Sequence, residues 1–369
     1  MTAWIRTPED LGSLARSLAG VRTIALDTES DSLFHHVEKV CLVQIATEQG
    51  ESYLVDPLAV RDLSPLAPIM ADPGVVKVLH GADYDVSTLK RDFAFRFAAL
   101  FDTMIAARLL GRSELGLAAL ARNELGVSLS KDNQKDDWSR RPLTPQQEAY
   151  AAADVTHLVA LQQRLAAQLE SLGRLAWLRE ECDAIAELPA AARRRDPDAY
   201  LSIKGAKRLS PRALAALREL HAWRERRAQE TNLPPFKILG NEVLLRLAEL
   251  PAGDGAPAAS LPPRLRPREH EIAEALARAH GLDEGQLPVV PRSARPILPD
   301  PVLRRIARLR AWRTAKADEL KLDVSVVLPQ RLIDRLAEAS PRDGDGLGAI
   351  EGLRRWRIRT FGREILAVL

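Results

Sequence analysis

The sequence has few cysteines and no long apolar segment, and these absences exclude several classes of protein. Cys41 and Cys182 are too few for a disulfide framework or a zinc site. No apolar run reaches the roughly 18 residues of a membrane-spanning helix. The first residues do not show the basic-then-apolar pattern of a signal peptide. With 46% hydrophobic and 28% charged residues, the composition predicts a soluble globular protein, and we expect a cytoplasmic location.

The net charge of +3 conceals two halves of opposite sign. Residues 1–190 contain 19 Lys and Arg against 27 Asp and Glu, a net charge of −8. Residues 191–369 contain 34 against 23, a net charge of +11. A basic half favours a polyanionic partner, and an acidic half would repel that partner unless cations bind there. An uneven distribution of charge that has no functional cause explains the difference between the two halves equally well.

The length of 369 residues suits two or three domains. In the first half, short β-type runs precede and alternate with helical patterns, which predicts an α/β domain with a mixed sheet. The predicted strands are 21–26, 40–46, 52–55 and 75–79, and the predicted helices are 83–92, 103–110, 117–125 and 144–172. Residues 193–198 are the predicted exit from this domain.

The second half is predicted to be helical and repeats itself at an offset of 89 residues. Leu220-His-Ala-Trp223-Arg matches Leu309-Arg-Ala-Trp312-Arg, and further apolar matches follow three or four residues apart. Such spacing marks the buried faces of equivalent helices, so we expect two small helical domains, with Trp223 and Trp312 packed in their cores. The proline-rich stretches 251–267 and 288–301 are predicted to be a loop and a linker.

Two carboxylates lie at the end of an apolar β-run. Asp27 and Glu29 are two residues apart, so a strand directs both side chains to one face. Carboxylates held so close repel each other, and a divalent cation removes the conflict because it prefers hard oxygen ligands. The alternative is an ordinary solvated surface pair.

Two further acidic residues, Asp85 and Asp154, lie on predicted helices. Asp85 comes after the predicted strand 75–79 and the turn His80-Gly, in the first turn of a helix. Acidic residues favour helix starts for dipole reasons alone. Asp154 lies one turn after Tyr150, and Thr144 begins their helix with a predicted capping box. An exposed Asp154 beside a core Tyr150 is the simple alternative.

In combination, these segments resemble a known family. Asp27-Thr-Glu29, Asp85 after His80-Gly-Ala, and Tyr150-x-x-x-Asp154 resemble the three motifs of DEDD-superfamily exonucleases, in the branch that contains a tyrosine. The stretch from Asp137-Trp-Ser-Arg-Arg-Pro-Leu-Thr144 to Asp154 is similar to ribonuclease D. The helical repeats resemble HRDC domains, which are small helical modules associated with nucleic acids.

The resemblance implies a fold and a domain order. We expect an α/β ribonuclease H-like exonuclease domain with a mixed sheet at 1–190. Two small all-α HRDC-like domains are expected at 204–287 and 298–369. Ser30 departs from the family, which has an aromatic residue there, and the segment 31–38 also differs.

The resemblance also implies a reaction. We expect a metal-dependent 3′–5′ exoribonuclease that releases nucleoside 5′-monophosphates and trims tRNA precursors and other structured RNAs. Asp27, Glu29, Asp85 and Asp154 would ligate two cations, Mg²⁺ or Mn²⁺, and Tyr150 would orient the attacking water. A DNA exonuclease of the same superfamily and a non-catalytic nucleic-acid-binding scaffold are the alternatives.

Several polar residues are candidates for contacts with the nucleic acid, each with a structural alternative. Gln44 lies within a β-run, where an exposed strand position is the favoured explanation. The other candidates are basic or titratable side chains that hold phosphates or line the cleft: His80, Arg141, Lys204, Lys207 and Arg208. Arginine clusters at 224–227 and 354–359 have the same two explanations, a phosphate contact or a solvated helix face.

Overall fold

The computed structural model describes residues 2–130, 132–192, 196–251, 261–289 and 298–369. Parts of three predicted connections lie outside these residues: 193–195 of the domain exit, 252–260 of the loop and 290–297 of the linker. Among the described residues, 263–268 form a 3₁₀ helix within the stretch predicted as a loop. No helix in the described part of the chain has both the length and the apolar character required to cross a membrane.

The N-terminal part of the chain is built on one six-stranded mixed sheet. Its strands are β1 Thr2–Ile5, β2 Thr23–Ser30, β3 Val40–Thr47, β4 Ser52–Val55, β5 Val76–Leu79 and β6 Leu100–Asp102. Their order across the sheet is β1-β4-β3-β2-β5-β6. Strand β3 is antiparallel to β2 and β4, whereas the other three pairs are parallel. The predicted mixed sheet is thus confirmed.

Nine α-helices accompany the sheet in the described residues up to 192. They are α1 Pro8–Ser17, α2 Pro57–Val60, α3 Ala67–Ala71, α4 Asp83–Phe93, α5 Thr103–Leu109, α6 Leu117–Leu120, α7 Pro145–Thr156, α8 Leu158–Ser171 and α9 Leu175–Ala186. The helix predicted over 144–172 is two helices, because regular helical bonding is interrupted at His157. The pattern 117–125 continues from α6 into a π-helical turn.

Strand β2 is longer than predicted, which changes the position of two acidic residues. Asp27 and Glu29 lie within the strand rather than after it, because Asp27 pairs with Gln44 and Glu29 pairs with Leu42 of β3. The register shifts between Glu29 and Ser30, where the strand ends. The acidic pair therefore stands on a hydrogen-bonded framework in the middle of the sheet, which holds it more rigidly than a loop would.

The C-terminal helices form two copies of one arrangement, as the sequence repeat predicts. The first copy contains α10 Pro211–Thr231, α11 Pro235–Ile238, α12 Asn241–Ala248 and α13 Glu269–His280, and the second contains α14 Asp300–Leu320, α15 Val324–Val327, α16 Gln330–Ala339, α17 Gly344–Gly348 and α18 Arg355–Val368. Trp223 is buried in the core of the first copy, whereas Trp312 is partly buried and packs against the core of the second. Their indole N–H groups donate equivalent bonds of 2.8 Å, from Trp223 to Glu271 and from Trp312 to Glu364.

By their contacts, the described residues fall into two compact units. The first comprises the described residues among 1–30, 40–191 and 295–369, so the second helical copy packs with the sheet domain. The second comprises the described residues among 31–39 and 192–294, so the connection between β2 and β3 packs with the first helical copy. Within this second unit, His35 contacts Asn232 at 2.9 Å, and Lys237 lies 4.2 Å from the ring centroid of Phe34.

Candidate active site

Three elements bring the predicted acidic residues together. Asp27 and Glu29 project from one face of β2, since they are two residues apart on a strand. Asp154 comes from α7, which packs against β2, β3 and β4. Carboxylate oxygens of Asp27, Glu29 and Asp154 all lie within 4.8 Å of one another.

Asp85 joins this group from the first turn of α4. Its carboxylate accepts a hydrogen bond from the hydroxyl of Thr28, which lies on β2 between the two acidic residues. Asp85 itself is buried, with 7% of its surface exposed. We refer to Asp27, Glu29, Asp85 and Asp154 as the acidic cage.

The turn that leads into α4 is fixed by Asp102, a residue that the sequence interpretation missed. The N–H groups of Gly81 and Ala82 donate to the two carboxylate oxygens of Asp102, at 3.1 and 2.8 Å. Gly81 has a φ of 73°, a conformation that a residue with a Cβ rarely adopts. Asp102 also caps α5 through the N–H of Met104 at 2.8 Å. The N-cap position at the end of an apolar run was its signal in the sequence.

Helix α7 carries Tyr150 and Asp154 and begins with the predicted capping box. The hydroxyl of Thr144 accepts from the N–H of Gln147 at 3.2 Å, and the side-chain oxygen of Gln147 accepts from the N–H of Thr144 at 2.9 Å. Gln147 also donates to Asp136 at 3.1 Å. The ring of Tyr150 packs 6.0 Å from that of the buried Trp138, centroid to centroid, and the Tyr150 hydroxyl is hydrogen-bonded to Asp154. The start of α7 and its aromatic contact thus fix the helix that presents Asp154 to the cage.

The cage is electrostatically frustrated without cations. Burial, followed by repulsion from Asp154, Asp85 and Asp136, raises the pKa of Glu29 to about 9. Burial raises the pKa of Asp154 to about 6, against a lowering effect of the Tyr150 hydrogen bond. Burial likewise raises the pKa of Asp85 to about 7, against its hydrogen bond from Thr28. Burial and then the three other cage residues raise the pKa of Asp27 well above its ordinary value.

Buried carboxylates that repel one another are typical of a site for divalent cations. Four clustered carboxylates offer only hard oxygen ligands, which Mg²⁺ and Mn²⁺ prefer. Bound cations would offset the cost of burying these carboxylates and the repulsion from cage residues that adds to the raised pKa values of Asp27 and Glu29. The chemistry of the donor set and the mutual repulsion of its members therefore both fit divalent metal ions.

The cage opens into a cleft of about 520 Å³. Its walls include Tyr150, His80 and Tyr84. The Nδ1 atom of His80 is hydrogen-bonded to the hydroxyl of Thr103 at 2.9 Å, and burial lowers the pKa of His80. Burial and the repulsion of Asp154, Glu29 and Asp27 raise the pKa of Tyr150 far above 10, so in the cation-free cage its hydroxyl is protonated and can donate a hydrogen bond.

Two candidates for nucleic-acid contacts do not line this cleft. Gln44 is neither exposed nor at the cleft surface, because it is fully buried on β3 opposite Asp27. Its amide has no hydrogen-bond partner among the described residues. Arg141 has a structural role: its guanidinium donates to both oxygens of Asp56, at 2.6 and 2.9 Å, and to the carbonyl of Cys41 at 2.7 Å.

The remaining basic candidates are either exposed or engaged in contacts that hold the fold together. Lys204, Lys207 and Arg208 are exposed around a short 3₁₀ helix of the second unit. In the arginine clusters, by contrast, several side chains hold the fold together. Arg224 donates to Asn241 at 2.7 Å, and Arg357 donates to Glu181 at 2.6 Å.

Comparisons with known proteins match both the sheet domain and the helical copies. Residues 2–170 match the family model described as 3′–5′ exonuclease, and residues 213–254 and 302–369 match that of the HRDC domain. The chain is 34% identical to ribonuclease D of Gluconacetobacter diazotrophicus, across 99% of this chain and 92% of that protein. It is 33% identical to ribonuclease D of Pseudomonas paraeruginosa, across 99% and 97%.

A solved structure extends the similarity to the fold. The crystal structure of Escherichia coli RNase D, described as an exoribonuclease involved in structured RNA processing, aligns with a TM-score of 0.72 and 26% identity. The alignment covers 99% of this chain and 98% of that one. The similarity therefore includes the sheet domain and both helical copies.

Proposed function

Because the chain belongs to the ribonuclease D family and is a divalent-metal-dependent 3′–5′ exoribonuclease, we propose that its acidic cage holds two cations, Mg²⁺ or Mn²⁺. The observation that supports this assignment is the meeting of Asp27, Glu29 and Asp154 within 4.8 Å inside the cleft. When bound, such ions activate water and stabilise the attacking and leaving oxygens of a phosphodiester.

The chain's own residues have separate tasks in this proposal. Asp27, Glu29, Asp85 and Asp154 ligate the cations, directly or through water. Tyr150 keeps its proton and orients the attacking water by a hydrogen bond. The products are nucleoside 5′-monophosphates.

The proposed substrates are tRNA precursors and other structured RNAs, acted on in the cytoplasm. Support comes from the ribonuclease D relatives and from the description of the Escherichia coli enzyme. We propose that His80 contacts the terminal nucleotide in the cleft and that the exposed Lys204, Lys207 and Arg208 hold backbone phosphates, contacts that high salt would weaken.

The proposed domain bounds are 1–190 for the exonuclease and 204–287 and 298–369 for the HRDC-like domains. The family-model matches at 2–170, 213–254 and 302–369 support them.

The test is single-turnover digestion of end-labelled RNA, with a matched DNA strand alongside. We expect shortening from the 3′ end in Mg²⁺ or Mn²⁺ and none with chelator. Asp154→Asn should lower the rate by about 10²-fold or more, because it removes an anionic ligand. Glu148→Gln is the matched control, since Glu148 lies on α7 but outside the cleft lining. An Asp154→Asn rate within a few-fold of the control rate would refute the assignment.

Tyr150→Phe separates the role of the hydroxyl from that of the ring. We expect single-turnover cleavage to slow by about 10-fold to 10²-fold, because the ring still packs against Trp138 but no longer orients water. RNA binding in chelator should be unchanged, which confines the effect to the chemical step. A wild-type cleavage rate would mean that the hydroxyl has no role.

A further inference from the structure

A second cavity lies where the C-terminal helical copy packs on the sheet domain, within the first compact unit. Its volume is about 220 Å³. Helices α5 and α9 contribute one side, and α15, α16 and the start of α18 contribute the other. None of its lining residues belongs to the acidic cage or to the cleft above it.

The charge of this cavity is strongly positive. Four guanidinium groups line it, those of Arg108, Arg331, Arg354 and Arg357, against the single carboxylate of Glu181. The formal charge of the lining is therefore +3. Burial lowers the pKa of Arg357 against the effect of Glu181, and repulsion from Arg354 and Arg331 lowers it further.

The single carboxylate is already engaged. One oxygen of Glu181 accepts from Arg357 at 2.6 Å and from the indole N–H of Trp356 at 3.0 Å. The other lies 3.6 Å from the Nε atom of Arg354. Among the described residues, Arg331 and Arg108 form no hydrogen bond or close ion pair, and Arg108 has only a longer-range attraction to Asp323. Two arginines of the cavity therefore remain available to an anion.

The inner wall is held in place by contacts within the protein. Arg357 is buried and donates to the carbonyl of Val326 at 3.0 Å. Trp356 is stacked on Trp177 with ring centroids 4.3 Å apart. The N–H groups of Arg357 are thus engaged by Val326 and Glu181, so the planar, bidentate recognition of phosphate oxygens falls to the guanidinium groups of Arg331 and Arg108.

We propose that this cavity binds the phosphomonoester group of a mononucleotide. A phosphomonoester carries about −1.5 to −2 charge at neutral pH, which matches a lining of +3 better than a single backbone diester does. The cavity is smaller than the roughly 300–1,000 Å³ of pockets that enclose a drug-sized ligand. The phosphate and part of the sugar therefore enter, and the base stays outside.

Isothermal titration of the full chain with 5′-AMP, inorganic phosphate and adenosine tests the proposal. Chelator is present throughout, so that metal-mediated binding in the acidic cage does not contribute. We expect 5′-AMP and phosphate to bind and adenosine not to bind. Arg331→Gln or Arg108→Gln should weaken 5′-AMP binding at least about tenfold, because each removes a charge-assisted contact.

Arg342→Gln is the matched control, because Arg342 is an exposed arginine of the same helical copy outside this cavity. It should bind 5′-AMP as wild type does, and Asp154→Asn should do so as well. The proposal is overturned if wild type binds no 5′-AMP in chelator, or if the Arg331 and Arg108 variants bind it with unchanged affinity.

RNA carrying a 5′-phosphate or a 5′-hydroxyl distinguishes the source of the phosphate. Tighter binding of the phosphorylated RNA, abolished by Arg331→Gln, would support the phosphomonoester site and add RNA ends to its ligands. Equal weakening of both RNAs by Arg331→Gln, with 5′-AMP unaffected, would identify a backbone contact and overturn the proposal.

Discussion

At the scale of single residues, the protonation of the cage links pH, stability and metal binding. In the folded chain the pKa values are about 9 for Glu29, 7 for Asp85 and 6 for Asp154, against ordinary values of 4.5, 3.8 and 3.8. Raised folded-state pKa values stabilise the fold below the unfolded values, and this stability is lost as pH rises through the folded ones. The metal-free protein should therefore lose stability from about pH 4 to about pH 9, with Glu29 dominating the upper part.

Thermal unfolding in chelator and in Mn²⁺, at about pH 7 and about pH 8.5, measures this link. We expect a fixed Mn²⁺ concentration, about 100 times its dissociation constant at the lower pH, to raise Tm by about 5 °C there. The gain should be larger at the higher pH, where protons compete less with the cation for the carboxylates. Glu29→Gln should flatten the pH dependence in chelator. The buried Lys77, whose pKa burial lowers to about 8, acts in the opposite direction, and comparing wild type with the variant cancels its contribution. An identical pH slope in both proteins would contradict the prediction.

The acidic residues of the cage could be predicted from the sequence, but the residues that surround and position them could not. Alternation on a strand predicted that Asp27 and Glu29 share a face, and a helix start predicted the position of Asp85. Asp102 and Asp136 were missed because they act across the fold, one on the turn at Gly81 and one on the pKa of Glu29. Gln44 was expected to be exposed and is buried. The neighbouring sequence does not show whether a polar strand residue is buried, because that depends on which elements cover the sheet.

At the scale of elements, the ends of helices and strands were predicted well where a capping motif marks them and poorly where no such motif is present. The capping box at Thr144 was confirmed at the first turn of α7. The break at His157 has neither glycine nor proline to mark it, so one helix was predicted where two exist. Strands β1 and β6 were not predicted. Strand β6 has three residues, too few to show alternation, but β1 is as long as the predicted β4, so length does not explain why it was missed.

The capping box of α7 gives a prediction at this scale, because that helix carries Tyr150 and Asp154. Thr144→Ala should lower the free energy of unfolding by about 1 kcal/mol, since it removes the acceptor for the N–H of Gln147. Thr156→Ala is the control: this threonine lies on the same helix, but its hydroxyl only donates to the carbonyl of Ala152 and should contribute less than about 0.5 kcal/mol. Urea denaturation measures both variants, and equal midpoints would contradict the prediction.

At the scale of the whole molecule, the sequence predicted separate modules but not their packing. The repeat at 89 residues correctly indicated two helical copies. That the second packs with the sheet domain depends on contacts such as Trp177 with Trp356, 179 positions apart in the sequence. The charge split also has a structural component, because Arg357 pairs with Glu181 and Arg359 pairs with Glu180 across this contact. Part of the basic excess therefore stabilises the fold and is not available to RNA.

If this contact stabilises the sheet domain, a substitution far from the acidic cage should destabilise it. Trp356 is 1% exposed, stacks on Trp177 and donates to Glu181. Trp356→Ala removes a large buried ring and leaves one oxygen of Glu181 without this donor, so we expect a loss of about 3–5 kcal/mol. Phe236→Ala is the control, because Phe236 is 54% exposed in the second unit and should change stability by less than about 0.5 kcal/mol. Exonuclease activity remaining after brief heating should fall at a lower temperature for Trp356→Ala than for Phe236→Ala. Coincident inactivation curves would mean that the second helical copy does not stabilise the catalytic domain.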